Sequence, residues 1–314
     1  MASAVKRLLN QGKITPPYWL ESNLHLEVIM GSRAYGCNDP EKSDYDIRGV
    51  FTPPKVMAFP ATDGLVVGYD QIPECGHWNE SHIKDQDGKR EYDFDIHNIT
   101  KFLYLAEANN PNQIDLLFAH ESQIKHCTQV GRMLLDSRRL FLSKLCWKRF
   151  RGYASDQFHK LKEKQPEGKR KELVETFGYD VKFAYHCLRL LRECEMILTE
   201  GDLDLYRGNE EYKAIRKGEW PLEVLEREFY ARREGIEKVY HQSALPEKPD
   251  HSKVRELLLQ CLEHHYGSLS RVVMRPDAAY VALRDIDAVL MGTRHLFDSP
   301  QREPIVEDVE VRQS

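Results

Sequence analysis

Two carboxylates and a glycine–serine turn are the residues of this chain best suited to chemistry. The stretch Val28-Ile29-Met30-Gly31-Ser32-Arg33-Ala34-Tyr35-Gly36 is followed by Ser43-Asp44-Tyr45-Asp46-Ile47-Arg48-Gly49-Val50. The first reads as an apolar strand ending in Gly31-Ser32, the second as a strand bearing Asp44 and Asp46. Alternate strand residues share a face, so the two carboxylates project together while Tyr45 and Ile47 turn toward packing. Adjacent carboxylates flanked by apolar residues repel each other unless a cation neutralises them. A Mg²⁺ ion, or Mn²⁺ in its place, holding a nucleotide's phosphates is the economical occupant. Glycine permits close approach and unusual φ, so the Gly31-Ser32 turn can bring backbone N–H groups and a hydroxyl to phosphate oxygens. Asp-x-Asp alone is often a solvated turn. Its spacing after a strand and a Gly-Ser turn is what points to chemistry. Arg33, one residue past the turn, is placed to reach a phosphate; Tyr35 and Arg48 are weaker candidates.

The elements that must position these groups follow from periodicity and punctuation. Short apolar runs bounded by Gly and Pro predict strands at 24–30, 45–51, 64–69 and 92–97. A helical period over 99–108 stops at Asn109-Asn110-Pro111, which read as a helix-ending turn with a structural role. Strands mixed with helices predict a small α/β or α+β domain over roughly residues 15–130, α+β being the expected class once the helical remainder is counted. Beyond Gly131 helical patterns dominate, at 132–155, 179–200, 222–240 and 254–266. Residues 160–171 read as an exposed connector or helix end, 245–252 as a linker, and Gly201 as a helix C-cap.

Composition bounds the possibilities. A length of 314 residues suits two domains, and 41% hydrophobic with 30% charged residues excludes a disordered or collagen-like chain. No stretch is apolar for long enough to span a bilayer, and the N-terminus lacks a secretory apolar region. Seven scattered cysteines without a CxxC pair predict reduced thiols and a cytoplasmic protein. For zinc, Cys75, His77 and His82 are the closely spaced candidates.

GSRAYG with SDYDIRGV resembles the nucleotidyltransferase signature of the DNA polymerase β superfamily. It is most similar to the predicted nucleotidyltransferases of RNA-repair pathways in bacteria and phages. Further blocks extend the resemblance over roughly residues 25–205: Lys101-Phe102-Leu103, Asn109-Asn110-Pro111-Asn112 through Leu117-Phe118, and Gly178-Tyr179-Asp180-Val181-Lys182 through His186 to Arg189. The resemblance implies an NTP substrate, two divalent metal ions, and transfer of a nucleoside monophosphate to an acceptor hydroxyl with release of pyrophosphate. It also implies a third carboxylate on a neighbouring strand. In Glu91-Tyr92-Asp93-Phe94-Asp95-Ile96-His97, the aromatic and aliphatic residues alternate onto one face, leaving Asp93, Asp95 and His97 on the other. Asp95, nearer the strand's C-terminal end, is the expected third acid, with Asp93 the alternative. Asp44, Asp46 and Asp95 would then hold two ions ~4 Å apart, with Gly31, Ser32 and Arg33 seating the triphosphate. The expected organisation is a mixed-sheet nucleotidyltransferase domain over 1–130, a mainly α-helical domain over 131–298 that completes the site, and a flexible tail over 299–314.

Two basic features point to phosphates. In the 179–200 helix, Val181, Ala184, Leu188, Leu191 and Leu198 form one apolar stripe and Phe183, Leu190 and Ile197 a second. Lys182, His186, Arg189 and Glu193 share the remaining wedge. A basic wedge in a largely buried helix wants an anionic partner. That partner is either internal, as in an Arg189–Glu193 pair, or a phosphate. Because this block accompanies the active site in the resembling family, Lys182, His186 and Arg189 are expected to bind the nucleotide. The second feature is residues 131–171, where thirteen Lys and Arg face four acids, a local charge of +9 within a chain of net charge −5. Trp147, Phe150, Tyr153 and Phe158 interleave with them, a pattern suited to an RNA backbone and base stacking. An RNA 3′ end is therefore the expected acceptor. The alternatives are a protein or small-molecule hydroxyl, or a non-catalytic RNA-binding module on the same fold.

Overall fold

Every residue of Leu24–Ile29 (β1) is buried, which places this strand inside a sheet rather than at an edge. The computed structural model describes residues 3–40, 43–58, 73–163 and 169–267, together with 286, 289 and 290. In chain order, helix α1 (Ala4–Asn10) and the single turn α2 (Leu20–Asn23) precede β1. Then come β2 (Tyr45–Phe51), the single turns α3 (Lys55–Ala58) and α4 (Pro73–Gly76), and the hairpin β3 (His77–Lys84) and β4 (Glu91–Asn98). Helices α5 (Ile99–Glu107) and α6 (Pro111–Leu117) lead to β5 (Ile124–Cys127). The remainder is helical: α7 (Gln129–Asp136), α8 (Leu145–Glu163), α9 (Lys169–Phe177), α10 (Val181–Glu200), α11 (Asn209–Arg216), α12 (Leu222–Gln242) and α13 (His251–Tyr266). Among the described residues no helix is long and apolar enough to cross a membrane. No disulfide joins the seven cysteines.

The α+β class expected from the sequence is the one observed. The strands form one mixed sheet in the order β3-β4-β2-β1-β5, in which β2 and β4 run parallel and the other neighbours antiparallel. Its two faces differ. One face merges with the helices into a continuous core running from Leu26 and Val28 through Phe102 and Phe150 to Leu188, Phe229 and Leu262. The other holds a smaller cluster of Trp19, Phe51, Trp78 and Phe94 beneath α1. Glu27, fully buried on β1, accepts hydrogen bonds from the Ala4 N–H (2.6 Å) and the Ser3 hydroxyl (2.5 Å). The start of α1 thus supplies orphan donors to a carboxylate that burial would otherwise penalise.

Three departures from the expected elements have physical causes. Edge strand β3 is mostly solvent-facing, and a bulge at His82 (φ 62°) interrupts it, so it lacks the apolar alternation that marks a strand. The helix expected over 132–155 is two helices, α7 and α8, joined by a 3₁₀ turn at Arg138–Phe141. There the Asn109 amide donates to the Phe141 carbonyl (2.8 Å), taking an acceptor that a continuous helix would use. Asn109 itself ends α5 with φ 52°, while Asn110 caps α6 by accepting the Asn112 N–H at 3.0 Å. The turn read as ending one helix therefore also starts the next. Gly201 closes α10 in the left-handed conformation, φ 60°. The strand expected at 64–69 and the tail over 299–314 lie outside the described residues.

Candidate active site

The turn after β1 is pinned to the start of β2. Ile29 pairs with Ile47, and the Met30 N–H donates to the Asp46 carbonyl at 2.7 Å. Gly31 then opens a 3₁₀ turn, Gly31–Arg33, with φ +62°. A Cβ at Gly31 would fall 1.7 Å from Asp46 Oδ2. Glycine is required twice over here, by the left-handed backbone and by the carboxylate against its Cα. Gly31→Ala is expected to cost about 1–2 kcal/mol from the backbone alone and to push the Asp46 carboxylate off its position. Paired urea unfolding and transfer assays should show an activity loss larger than the stability loss accounts for.

Asp46 lies where a cation is wanted. Burial pushes its carboxyl up; Arg48 opposes this, Asp93 and Asp44 reinforce it, and Lys182 pulls it down. The parallel β2–β4 register sets Asp93 directly opposite Asp46, and Asp95 opposite Arg48. Asp95 is engaged elsewhere. His77 Nε2 stands 2.7 Å and His97 Nε2 3.4 Å from its Oδ1, with Arg48 Nε 3.9 Å from Oδ2. Burial would raise the Asp95 carboxyl, but His77, His97 and Arg48 together hold it below the usual carboxylate range. Register thus sets Asp93, the alternative third acid, directly against Asp46, while Asp95 lines the same cleft two residues further along, held by His77, His97 and Arg48. Asp93 Oδ1 accepts the His82 N–H at 2.7 Å, so the β3 bulge positions this acid.

Two adjoining clefts flank the carboxylates. One, of about 340 Å³, is lined by Asp46, Arg48, Asn79, Asp93 and Asp95. The other, of about 300 Å³, gathers Arg33, Lys84, Lys89 and Arg90 around Asp44. Arg33 lays its guanidinium 3.9 Å over the Tyr45 ring and donates to the Ser43 carbonyl at 3.1 Å. Sequence reading missed Lys84, Lys89 and Arg90. They ride on the β3–β4 turn, whose Asp87-Gly88 pair, with Gly88 at φ +67°, is a hairpin signal.

The α10 wedge splits in two. Asp180 caps the helix by accepting the Lys182 N–H (2.9 Å) and the Phe183 N–H (3.2 Å). Lys182 and His186, both half-buried, lie toward its start; the Lys182 charge is felt at Asp46, and His186 stacks on Tyr185 at 4.2 Å. Arg189 does not join them. It is buried, with Nη1 2.7 Å from Asp115 Oδ2 and 2.6 Å from Glu193 Oε1, and its guanidinium lies 4.0 Å over Tyr35. The Tyr35 hydroxyl donates to the same Asp115 oxygen at 2.6 Å. The structure does not bring Arg189 to the carboxylates of the cleft. Its anions are internal, and it ties the loop after the Gly-Ser turn to α6 and α10. Burial pushes the Glu193 carboxyl up against the pull of Arg189.

In the basic segment, Phe150 and Phe158 are core residues, the latter stacked on Phe229 at 4.0 Å, and neither can stack on a base. Tyr153 is exposed, Trp147 is half-buried, and Lys148 and Lys160 project from α8 beside Arg149, which donates to the Ala108 carbonyl, and Lys162, which pairs with Glu226. Arg132 and Arg139 pair with Glu121 and Asp202. The zinc candidates do not gather: the Cys75 side chain is buried, His77 faces Asp95, and His82 Nδ1 lies 2.6 Å from Glu91.

Compared with known proteins, residues 5–215 match a family model described as the RNA repair pathway DNA polymerase beta family. Among curated proteins, none matches the chain. Among solved structures, a nucleotidyltransferase-like protein from Exiguobacterium sibiricum aligns over 94% of this chain and 91% of its own, at 8% identity and a TM-score of 0.28.

Proposed function

Because the chain belongs to the RNA repair pathway DNA polymerase beta family, we propose that it is a metal-dependent nucleotidyltransferase acting on RNA 3′ ends. It would transfer a nucleoside monophosphate from an NTP to the terminal hydroxyl and release pyrophosphate. The observation that carries this reading is the carboxylate set beside a turn with no room for a Cβ: Asp46 against Gly31, Asp93 opposite it in register, and Asp44 two residues before it. We take residues 1–130 as the catalytic unit and 131–298 as the helical unit completing the site.

The donors fit a hard divalent cation. All three side chains offer oxygen, and the half-buried Asp46 carboxyl, pushed up by burial and by its acidic neighbours, is in want of positive charge. Mg²⁺ or Mn²⁺ held by Asp44, Asp46 and Asp93 would supply charge neutralisation for the triphosphate and activation of the acceptor hydroxyl. The chain's own part is positioning. Gly31 and Ser32 form the floor on which phosphate oxygens rest. Arg33, Lys84, Lys89 and Arg90 gather cationic charge beside Asp44, where a triphosphate's excess negative charge would lie. Lys182 adds charge from α10, and His186 borders it one turn later. In-line attack on the α-phosphate needs little beyond such alignment and charge placement.

An RNA acceptor draws support from the exposed Lys148, Arg149, Lys160 and Lys162 on α8. A small acceptor needs no such surface. Lys148→Ala with Lys160→Ala should weaken RNA binding uniformly across sequences and shallow the log–log salt slope by about 1 per lysine. Filter binding at several salt concentrations reads this. The reading itself is tested by incubating the protein with each α-labelled NTP, Mg²⁺ and a pool of cellular RNA, then sequencing the extended ends. Added 3′ nucleotides are expected. Label recovered instead on protein or small molecules would overturn the RNA assignment while keeping the chemistry.

A further inference from the structure

Two imidazoles and a carboxylate converge on the face of the β3–β4 hairpin, further along β4 from the Asp46–Asp93 pair. His77 and His97 are direct antiparallel partners, and Asp95 shares its strand face with His97. The two rings stack at 4.5 Å between centroids with only 18° between planes, and both turn their Nε2 atoms to the same side. They point at one oxygen, Asp95 Oδ1, at 2.7 and 3.4 Å. All three ligand atoms lie within 4.8 Å of one another. Two ligands of a tetrahedral zinc ion, each about 2.1 Å from it, stand about 3.4 Å apart. A small opening of the His77 contact would thus seat such an ion. Arg48, 3.9 Å from the other Asp95 oxygen, orients the carboxylate from behind.

From this geometry we propose that His77, Asp95 and His97 form a second metal site that takes a borderline transition-metal dication such as Zn²⁺. The donor set separates it from the carboxylate site. Imidazole nitrogen favours Zn²⁺ and its neighbours over Mg²⁺, whereas an all-oxygen set favours Mg²⁺ or Mn²⁺. Three protein ligands leave a fourth position for water or a substrate atom, and Asp95 lines the cleft that Asp46 and Asp93 also line. The ion would also clamp edge strand β3, which is mostly exposed and, among the described residues, pairs with β4 alone, onto the sheet.

The site is read with the full chain, stripped by chelator and refilled with Zn²⁺ against a chromophoric indicator, or with Co²⁺ by visible absorption. His77 is exposed, so His77→Asn should fold normally; His97→Gln serves as the second variant. Each should lower Zn²⁺ affinity at least tens-fold, remove the Co²⁺ bands, and abolish the rise in melting temperature that Zn²⁺ gives the unmodified chain. His82→Asn should change Zn²⁺ affinity less than twofold. The proposal is overturned if the unmodified chain fails to bind Zn²⁺ and Co²⁺, or if binding survives His77→Asn and is lost in Asp46→Asn or His82→Asn. No arm depends on nucleotide transfer, so the outcome is independent of the reading above.

Discussion

Asp46→Asn is expected to lower nucleotidyl transfer by on the order of 10³-fold, about 4 kcal/mol of transition-state stabilisation, with a melting temperature unchanged or raised. The two effects have one cause. Burial, with Asp93 and Asp44 alongside, pushes the Asp46 carboxyl up, so its ionised form burdens the fold when no cation is bound. A folded-state value above the unfolded one favours folding at pH below the unfolded value and loses that contribution as pH rises through the folded value. The melting advantage of Asp46→Asn, measured in chelator, should therefore be larger at pH 7 than at pH 4. Mg²⁺ should narrow it by stabilising only the unmodified chain. Near-normal transfer by Asp46→Asn would remove Asp46 from the site.

Arg189→Ala is expected to destabilise the fold by about 3–5 kcal/mol, because it strands two buried carboxylates. Asp115 and Glu193 are both fully buried, and each takes an oxygen contact from the Arg189 guanidinium. Arg189→Lys should recover only part of this, since an ammonium can replace the one nitrogen, Nη1, that meets both carboxylates but not the planar guanidinium lying over the Tyr35 ring. Urea unfolding at neutral pH measures both. The same experiment separates the internal role from a phosphate contact. A variant within about 1 kcal/mol of the unmodified chain in stability, yet silent in transfer, would return Arg189 to the nucleotide.

What the sequence disclosed and what it withheld divide along contact distance. Gly31, Asp44 and Asp46 are legible because one short stretch of chain holds the strand, the turn and the second strand. Choosing between Asp93 and Asp95 was beyond it. Both share a strand face, and the parallel pairing that sets Asp93 against Asp46 is fixed by how β4 docks on β2. The placing of Arg189 was hidden for a related reason. Helical period places it correctly in the wedge, but its partner Asp115 sits 74 residues away on α6. Phe150 and Phe158 looked available for stacking because one-dimensional interleaving of aromatic and basic residues carries no record of which side of α8 faces the core. Strand β3 left no apolar alternation to find, since an exposed edge strand needs none. The His77–Asp95–His97 convergence depends on that unseen strand, and sequence spacing grouped His77 instead with Cys75 and His82.

On the proposed function, Asp44, Asp46 and Asp93 bind an NTP through a divalent cation. Calorimetric titration of NTP into the full chain, with Mg²⁺ and then with chelator, tests it most directly. Binding that appears with Mg²⁺, vanishes with chelator and is lost in Asp46→Asn is the predicted result. NTP binding that is indifferent to Mg²⁺ or unchanged in Asp46→Asn would contradict it.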